Sequence, residues 1–207
     1  MEIHEFWRIV DQARVDAGAT AGRFAEAAVA EALVTQLMTL PRNEILDFDD
    51  LLGEVIDQLH TPRVALACHL ITGFLSDDLF SSFRAGLVGL GRRTVEQIIA
   101  DPDSLAEHPV VIDIAEGRCE RMSLDSEGLL FAASSAYARI SDGDEEAFWL
   151  AVDARHEAVG SGDALRPEDE PGTADAAPLP EVLPRISALL PPGRWATPNY
   201  HRPSQRH

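Results

Sequence analysis

The 207-residue chain carries 35 acidic residues against 17 basic ones, a net charge of −18, with 45% hydrophobic and 25% charged residues. Its length and composition suit one well-buried globular domain with extensions. The acidity argues against nucleic acid, whose binding rests on cations that neutralise phosphates, and favours a basic protein or peptide partner. No lysine occurs, so every basic side chain is arginine.

Apolar spacing is helical through most of the first 100 residues. Phe6, Ile9, Val10 and Ala13 follow the helical rule on a first helix that ends near Gly18. Thr20 suits the cap of a second helix, along which Phe24, Ala27, Ala28, Leu33, Leu37 and Leu40 run up to Pro41. Pro41 fits the first turn of a third helix, where its missing N–H costs nothing. Ile45, Phe48, Leu51, Leu52, Val55, Ile56 and Leu59 form that helix's buried stripe, with Asp47, Asp49, Asp50, Glu54 and Asp57 around the other side. Thr61 and Pro62 open a fourth helix, RVALACHLITGFL, which is apolar nearly all round and therefore central.

The fifth helix opens in FLSDDLF, residues 74 to 80. Ser76 is a good N-cap, and Asp77 and Asp78 then face the positive end of the helix dipole, a gain of roughly 0.3–1 kcal/mol each. Phe80, Phe83, Leu87 and Leu90 continue as its core stripe. Local capping chemistry accounts for both aspartates. A ligand site at the same place would need partners converging from elsewhere, and Arg84, His69 and His60 are the nearest candidates in sequence. The glycines of GLVGLG (Gly86, Gly89, Gly91) read as close packing or as a groove left by missing side chains. Arg92 and Arg93 follow, as salt-bridge partners or an anion hold, with the first reading favoured.

Asp101-Pro102 ends this helix, and Asp103 or Ser104 starts a short new turn. The β-branched run 110–114, VVIDI, reads as one short strand without a visible partner. Residues 126–140 read as a helix, SDGDE as a turn and cap, and EEAFWLAVDARHEAV as a last helix with Phe148, Trp149 and Val152 on its apolar side. From Gly160 the composition turns to Gly, Pro, Ala and acids. The expected organisation is an all-α, multi-helix bundle over residues 1–160, a flexible linker over 161–184, and a terminal peptide over 185–207. In that peptide Trp195 and Tyr200 stand among Arg194, Arg202 and Arg206, a set suited to folding back on the acidic body or docking on another copy. Residues 163–207 hold six carboxylates against five arginines, so about −17 of the charge belongs to the body.

The N-terminus lacks the pattern of a signal peptide, and no run approaches 18 uninterrupted apolar residues, so neither export nor membrane insertion is expected. Cys68 and Cys119 stand far apart without a metal or redox spacing, which points to a reduced, cytoplasmic setting. Cys68 beside His69 makes no dyad, because adjacent helix positions point in different directions. Ser134 and Ser135 lack a nucleophile-elbow context, and no phosphate-loop or metal-ligand motif occurs, so no cofactor or metal is expected.

FWRIVDQAR, LITGFLSDDLFSSFR, GRRTVEQIIADPDSLA and EGLLFAASSAYARI together resemble, in order, the bacterial domain-of-unknown-function family 4240 (DUF 4240), over about residues 4–142. The resemblance implies an all-helical cytoplasmic domain with no established activity. Where the family tends to carry a tryptophan after its Phe-Arg pair, this chain has Gly86, which leaves the expectation of a gap there. The favoured functional reading is a non-enzymatic binding, regulatory or accessory module that recognises a protein or peptide through an acidic surface. One alternative is a metal- or small-molecule-dependent enzyme with a site at the start of the fifth helix, built from Asp77, Asp78, Arg84 and His69 or His60, with Arg92 a further ligand or partner candidate. The other is a self-associating structural protein that uses its C-terminal tail.

Overall fold

The computed structural model describes residues 1–19, 25–159 and 179–191. Among them every regular element is helical and none is a strand. Helix α1 (Ile3–Asp16) buries Phe6, Trp7, Ile9, Val10 and Ala13, the face its spacing predicts. Helix α2 (Glu26–Leu37) packs on α1 through Val29, Ala30, Leu33, Val34 and Leu37. Ala27 and Ala28, expected on that face, are exposed. A methyl group offers little area to bury, and the larger Val and Leu side chains set the rotation. Thr20 and Phe24 lie outside the described residues. Helix α3 (Arg42–Gln58) buries Ile45, Phe48, Leu52, Val55 and Ile56, with Pro41 just before its first turn. Phe48 meets Phe6 at 4.8 Å between ring centres.

Helices α4 (Pro62–Thr72) and α5 (Asp77–Gly89) bend 95° from one another and form the most buried part of the molecule. Phe80, Phe83, Leu87 and Leu90 are all buried. The gap expected at Gly86 does not exist. A Cβ added there would stand 2.0 Å from the carbonyl oxygen of Leu124, so backbone occupies the space a side chain would need. The helix read as continuous to residue 100 breaks at Gly91, whose φ of +92° turns the chain into helix α6 (Arg92–Ala100).

A 3-10 turn (Pro102–Glu107) follows, opened by Asp101, whose carboxylate accepts the Asp103 amide at 3.3 Å. The strand expected over 110–114 is instead helix α7 (Pro109–Ala115). Pro109 sits in its first turn, and His108 Nδ1 accepts the Val110 amide at 3.3 Å, while no strand among the described residues lies alongside to complete a ladder. Local helix-start chemistry therefore outweighs β-branching. The helix expected over 126–140 is two, α8 (Glu127–Leu130) and α9 (Ala132–Arg139), separated at Phe131. Asp144 accepts the Glu146 and Ala147 amides and opens helix α10 (Glu146–Val159). Phe148 is buried as expected, but Trp149 is 53% exposed and does not share its face.

The stretch read as linker divides. Residues 161–178 lie outside the described residues, whereas helices α11 (Leu179–Val182) and α12 (Pro184–Leu189) fold back onto the 3-10 turn and α4. The expected boundary at 184/185 thus falls inside a packed segment. Arg194, Trp195, Tyr200, Arg202 and Arg206 lie outside the described residues, and so does the tail-mediated self-association read from them.

Two glycine substitutions in helices should move stability in opposite directions. Gly86→Ala forces Leu124 away and is expected to cost more than about 3 kcal/mol in a denaturant titration. Gly53→Ala, with nothing within 4 Å of the added carbon, is expected to gain about 0.5–1 kcal/mol.

Asp49 supplies a pH test. It is half-buried on α3 rather than solvated, and burial, reinforced by neighbouring Asp50, pushes its carboxyl up to about 6. A carboxyl that binds its proton more tightly when folded penalises folding only once ionised. The penalty is absent near pH 4 and complete above pH 6. Asp49→Asn should therefore raise stability by about 2 kcal/mol at pH 7.5 and leave it unchanged near pH 4, as thermal unfolding at the two pH values will show.

Candidate functional site

Helix α4 ends at Gly73, which takes a left-handed φ of +96° and whose amide meets the His69 carbonyl at 2.8 Å. A left-handed residue past the last turn is how glycine ends helices. Helix α5 begins at Ser76, whose hydroxyl accepts the Leu79 amide at 3.3 Å. Two residues remain between these caps, Phe74 and Leu75, and they are 51% and 41% exposed. Two large apolar side chains thus stand out from the most apolar corner of the fold. Asp77 and Asp78 flank them, both exposed.

The loop is braced from inside. The Thr72 hydroxyl lies 2.8 Å from the Cys68 carbonyl and 2.7 Å from the Phe74 carbonyl. Arg121, fifty positions along the chain, donates from Nε to the Ile71 carbonyl at 2.8 Å and from Nη2 to the Leu70 carbonyl at 2.7 Å. Its guanidinium passes so close to Gly73 that a Cβ there would stand 2.8 Å from Nη1. Gly73 is therefore required twice, by its backbone angle and by the room it leaves. Leu124 lies on Gly86, Asp125 bonds the Ser82 hydroxyl, and the Ser126 amide bonds the Ser82 carbonyl at 3.2 Å. These contacts hold the segment that carries Arg121.

The residues singled out in the sequence separate. Asp77 and Asp78 sit in the first turn of α5, and no cation among the described residues pairs with them. Arg84 is buried rather than offered to a ligand. It donates to the Phe80 carbonyl at 3.2 Å, the Ile56 carbonyl at 3.1 Å and the Ser81 hydroxyl at 3.2 Å, and lies 4.6 Å from the Phe80 ring centre. His60 sets its ring edge against Phe80 at 5.4 Å, and His69 is exposed on α4. Arg92 is engaged by Glu96 at 2.7 Å. Among the described residues no three His, Cys, Asp or Glu side chains gather as a cation would need. Burial pushes the Cys68 thiol up to about 12, which keeps it protonated and unreactive.

Sequence reading assigned Phe74 and Leu75 to the buried fourth helix. Their exposure was nevertheless signalled, because Gly73 is a helix-ending residue and Ser76 a helix-starting one, and the pair falls between them. Arg121 carried no local signal, since its partners are fifty residues away. A concavity of about 460 Å³ opens between α9 and α10 and is lined by Phe131, Ser134, Ser135, Arg139, Glu145 and Trp149. Its guanidinium is held at two points by Glu31, at 2.6 and 2.9 Å, and the Ser134 hydroxyl donates to the Phe131 carbonyl.

The profile of one family, described as "Protein of unknown function (DUF4240)", matches residues 1–139. The match spans more than half of the chain, and the chain belongs to that family. No curated protein and no solved structure matches it. No single helix among the described residues is long and apolar enough to cross a membrane.

Three variants divide the cap from the brace. Ser76→Ala should lower stability by about 1 kcal/mol, and Asp77→Asn together with Asp78→Asn by less than about 1.5 kcal/mol in total. Arg121→Ala removes two bonds to α4 and should speed amide exchange in residues 73–78 selectively, as hydrogen–deuterium exchange reads segment by segment.

Proposed function

We propose that this member of the family is a non-enzymatic binding module that docks on a basic protein partner through the loop 73–78. Phe74 and Leu75 would enter an apolar pocket on the partner, and Asp77 and Asp78 would meet cations on its rim. The single observation that supports this reading is the exposure of that apolar pair on a braced loop. Covering half-exposed Phe and Leu side chains supplies about 1–2 kcal/mol each, the scale of an interface anchor. A loop already fixed by Arg121, Thr72 and Ser76 loses little freedom on docking, so more of that energy appears as affinity.

The charge supports a cationic partner. Many of the arginines are committed within the molecule: Arg139 to Glu31, Arg155 to Asp47 and Asp50, Arg185 to three carboxylates, Arg84 and Arg121 to backbone carbonyls. The carboxylate excess is left to solvent, where it steers positively charged proteins and repels phosphate polymers and anionic lipid. The two unpaired cysteines suit a cytoplasmic setting.

Replacing Phe74 by a photo-crosslinking residue and irradiating in a cell lysate of set ionic strength should capture a protein of basic surface. Capture should weaken between 50 and 500 mM salt and disappear in a Leu75→Ser, Asp77→Asn, Asp78→Asn background whose thermal unfolding stays near that of the parent. A crosslinked protein that survives those substitutions and high salt would remove the loop as the docking element.

A further inference from the structure

Residues 183–190 are held on the body by a two-part lock. Leu183 and Ile186 are fully buried and Leu190 nearly so, at the i, i+3, i+7 spacing of one helix face. Asp103, only 3% exposed, supplies the polar half. One of its oxygens accepts the Arg185 amide at 2.9 Å and the Arg185 Nε at 3.2 Å, and the other accepts the Ile186 amide at 2.9 Å. The Arg185 guanidinium also meets Glu107 at 2.5 Å and Asp101. Arg63 bridges Asp101 at 3.1 Å and the Val182 carbonyl at 3.4 Å.

Every part of the receiving surface, namely α4, Arg63 and the 3-10 turn, lies within the residues that match the family, and the occupant lies beyond them. The two are joined through residues 160–178, which reach at most about 70 Å when extended. The buried carboxylate faces the first-turn amides of the docked segment, and Pro184 ahead of them has no amide to satisfy. The recognition is of a short helix that opens Leu-Pro-Arg-Ile.

We propose that this surface is a peptide-docking groove, filled here by the chain's own residues 183–190 as a displaceable occupant and open to the same segment of a second copy. A tethered occupant competes at high effective concentration, so the groove in the intact chain binds a free segment weakly. Loosening the tethered segment frees the groove without altering it.

The probe is a labelled peptide of residues 179–191, followed by fluorescence anisotropy against the full chain. Arg185→Glu in the chain sets a carboxylate against Asp101, Asp103 and Glu107 and should tighten peptide binding at least about tenfold over the parent chain. The same substitution in the peptide should abolish binding, and high salt should weaken it. A folded Arg185→Glu chain that gains no peptide binding overturns the proposal. Should that variant not fold, amide exchange of the unaltered chain decides. Exchange of residues 186–190 well before α3 to α5 supports a displaceable segment, and exchange together with those helices makes it an ordinary part of the core and overturns the proposal.

Discussion

The approach of the Leu124 backbone to Gly86 is the constraint from which the rest of the arrangement follows. Helix α5 presents Ser82, Ala85 and Gly86 on the side where the segment before α8 crosses it, and all three are buried. Only a surface without large side chains lets another backbone lie this close. Once it does, the Asp125 carboxylate meets the Ser82 hydroxyl and the Ser126 amide meets the Ser82 carbonyl. That crossing delivers Arg121 to the end of α4 and so fixes the loop that carries Phe74 and Leu75. A substitution at Gly86 therefore acts on the candidate site from within the core, with no contact to it.

Arginine is used in a consistent way around α4 and α5. Arg84 donates to a carbonyl in the last full turn of α3, and Arg121 to two carbonyls in the last turns of α4. In each case a planar cation sits at the negative end of a helix dipole. Burial lowers the proton affinity of both guanidiniums. Arg84 makes its bonds to carbonyl and hydroxyl oxygens. Oxygens at the helix ends thus hold one buried arginine and one half-buried arginine.

How far the sequence is legible depends on how local the deciding contact is. Ser76 and Thr61 act on amides three residues away, and their helix starts were readable, whereas the turn expected to open at Asp103 or Ser104 is capped by Asp101. The stripes of α1, α3 and α5 follow from spacing alone. The β-branched run at 110–114 misleads because side-chain shape favours a strand, while the deciding facts are the His108 and Pro109 start and the lack of a neighbouring strand. Arg84 looked available because it follows two aspartates, yet its partners include a carbonyl 28 residues earlier. Gly86 looked like a vacancy because the atom that fills the space belongs to residue 124. Phe74 and Leu75 are the intermediate case, their exposure implied by caps on both sides but masked by the apolar run they end.

Helix α4 stands between the two surfaces described above. Its first turn carries Arg63, which reaches the segment docked on the 3-10 turn, and its last turn carries the carbonyls that Arg121 holds beneath the loop. The separation is the length of eleven residues, about 16 Å. Proximity of this kind does not by itself couple two sites. Coupling needs an element with two arrangements that each site prefers differently. Helix α4 is capped by Thr61 at one end and Gly73 at the other and is buried along Val64, Ala65, Ala67, Cys68 and Ile71, which leaves it a single seat in the core. Displacement of the docked segment and capture of a partner by the loop, as proposed, would then be separate events on one rigid support, with additive free energies.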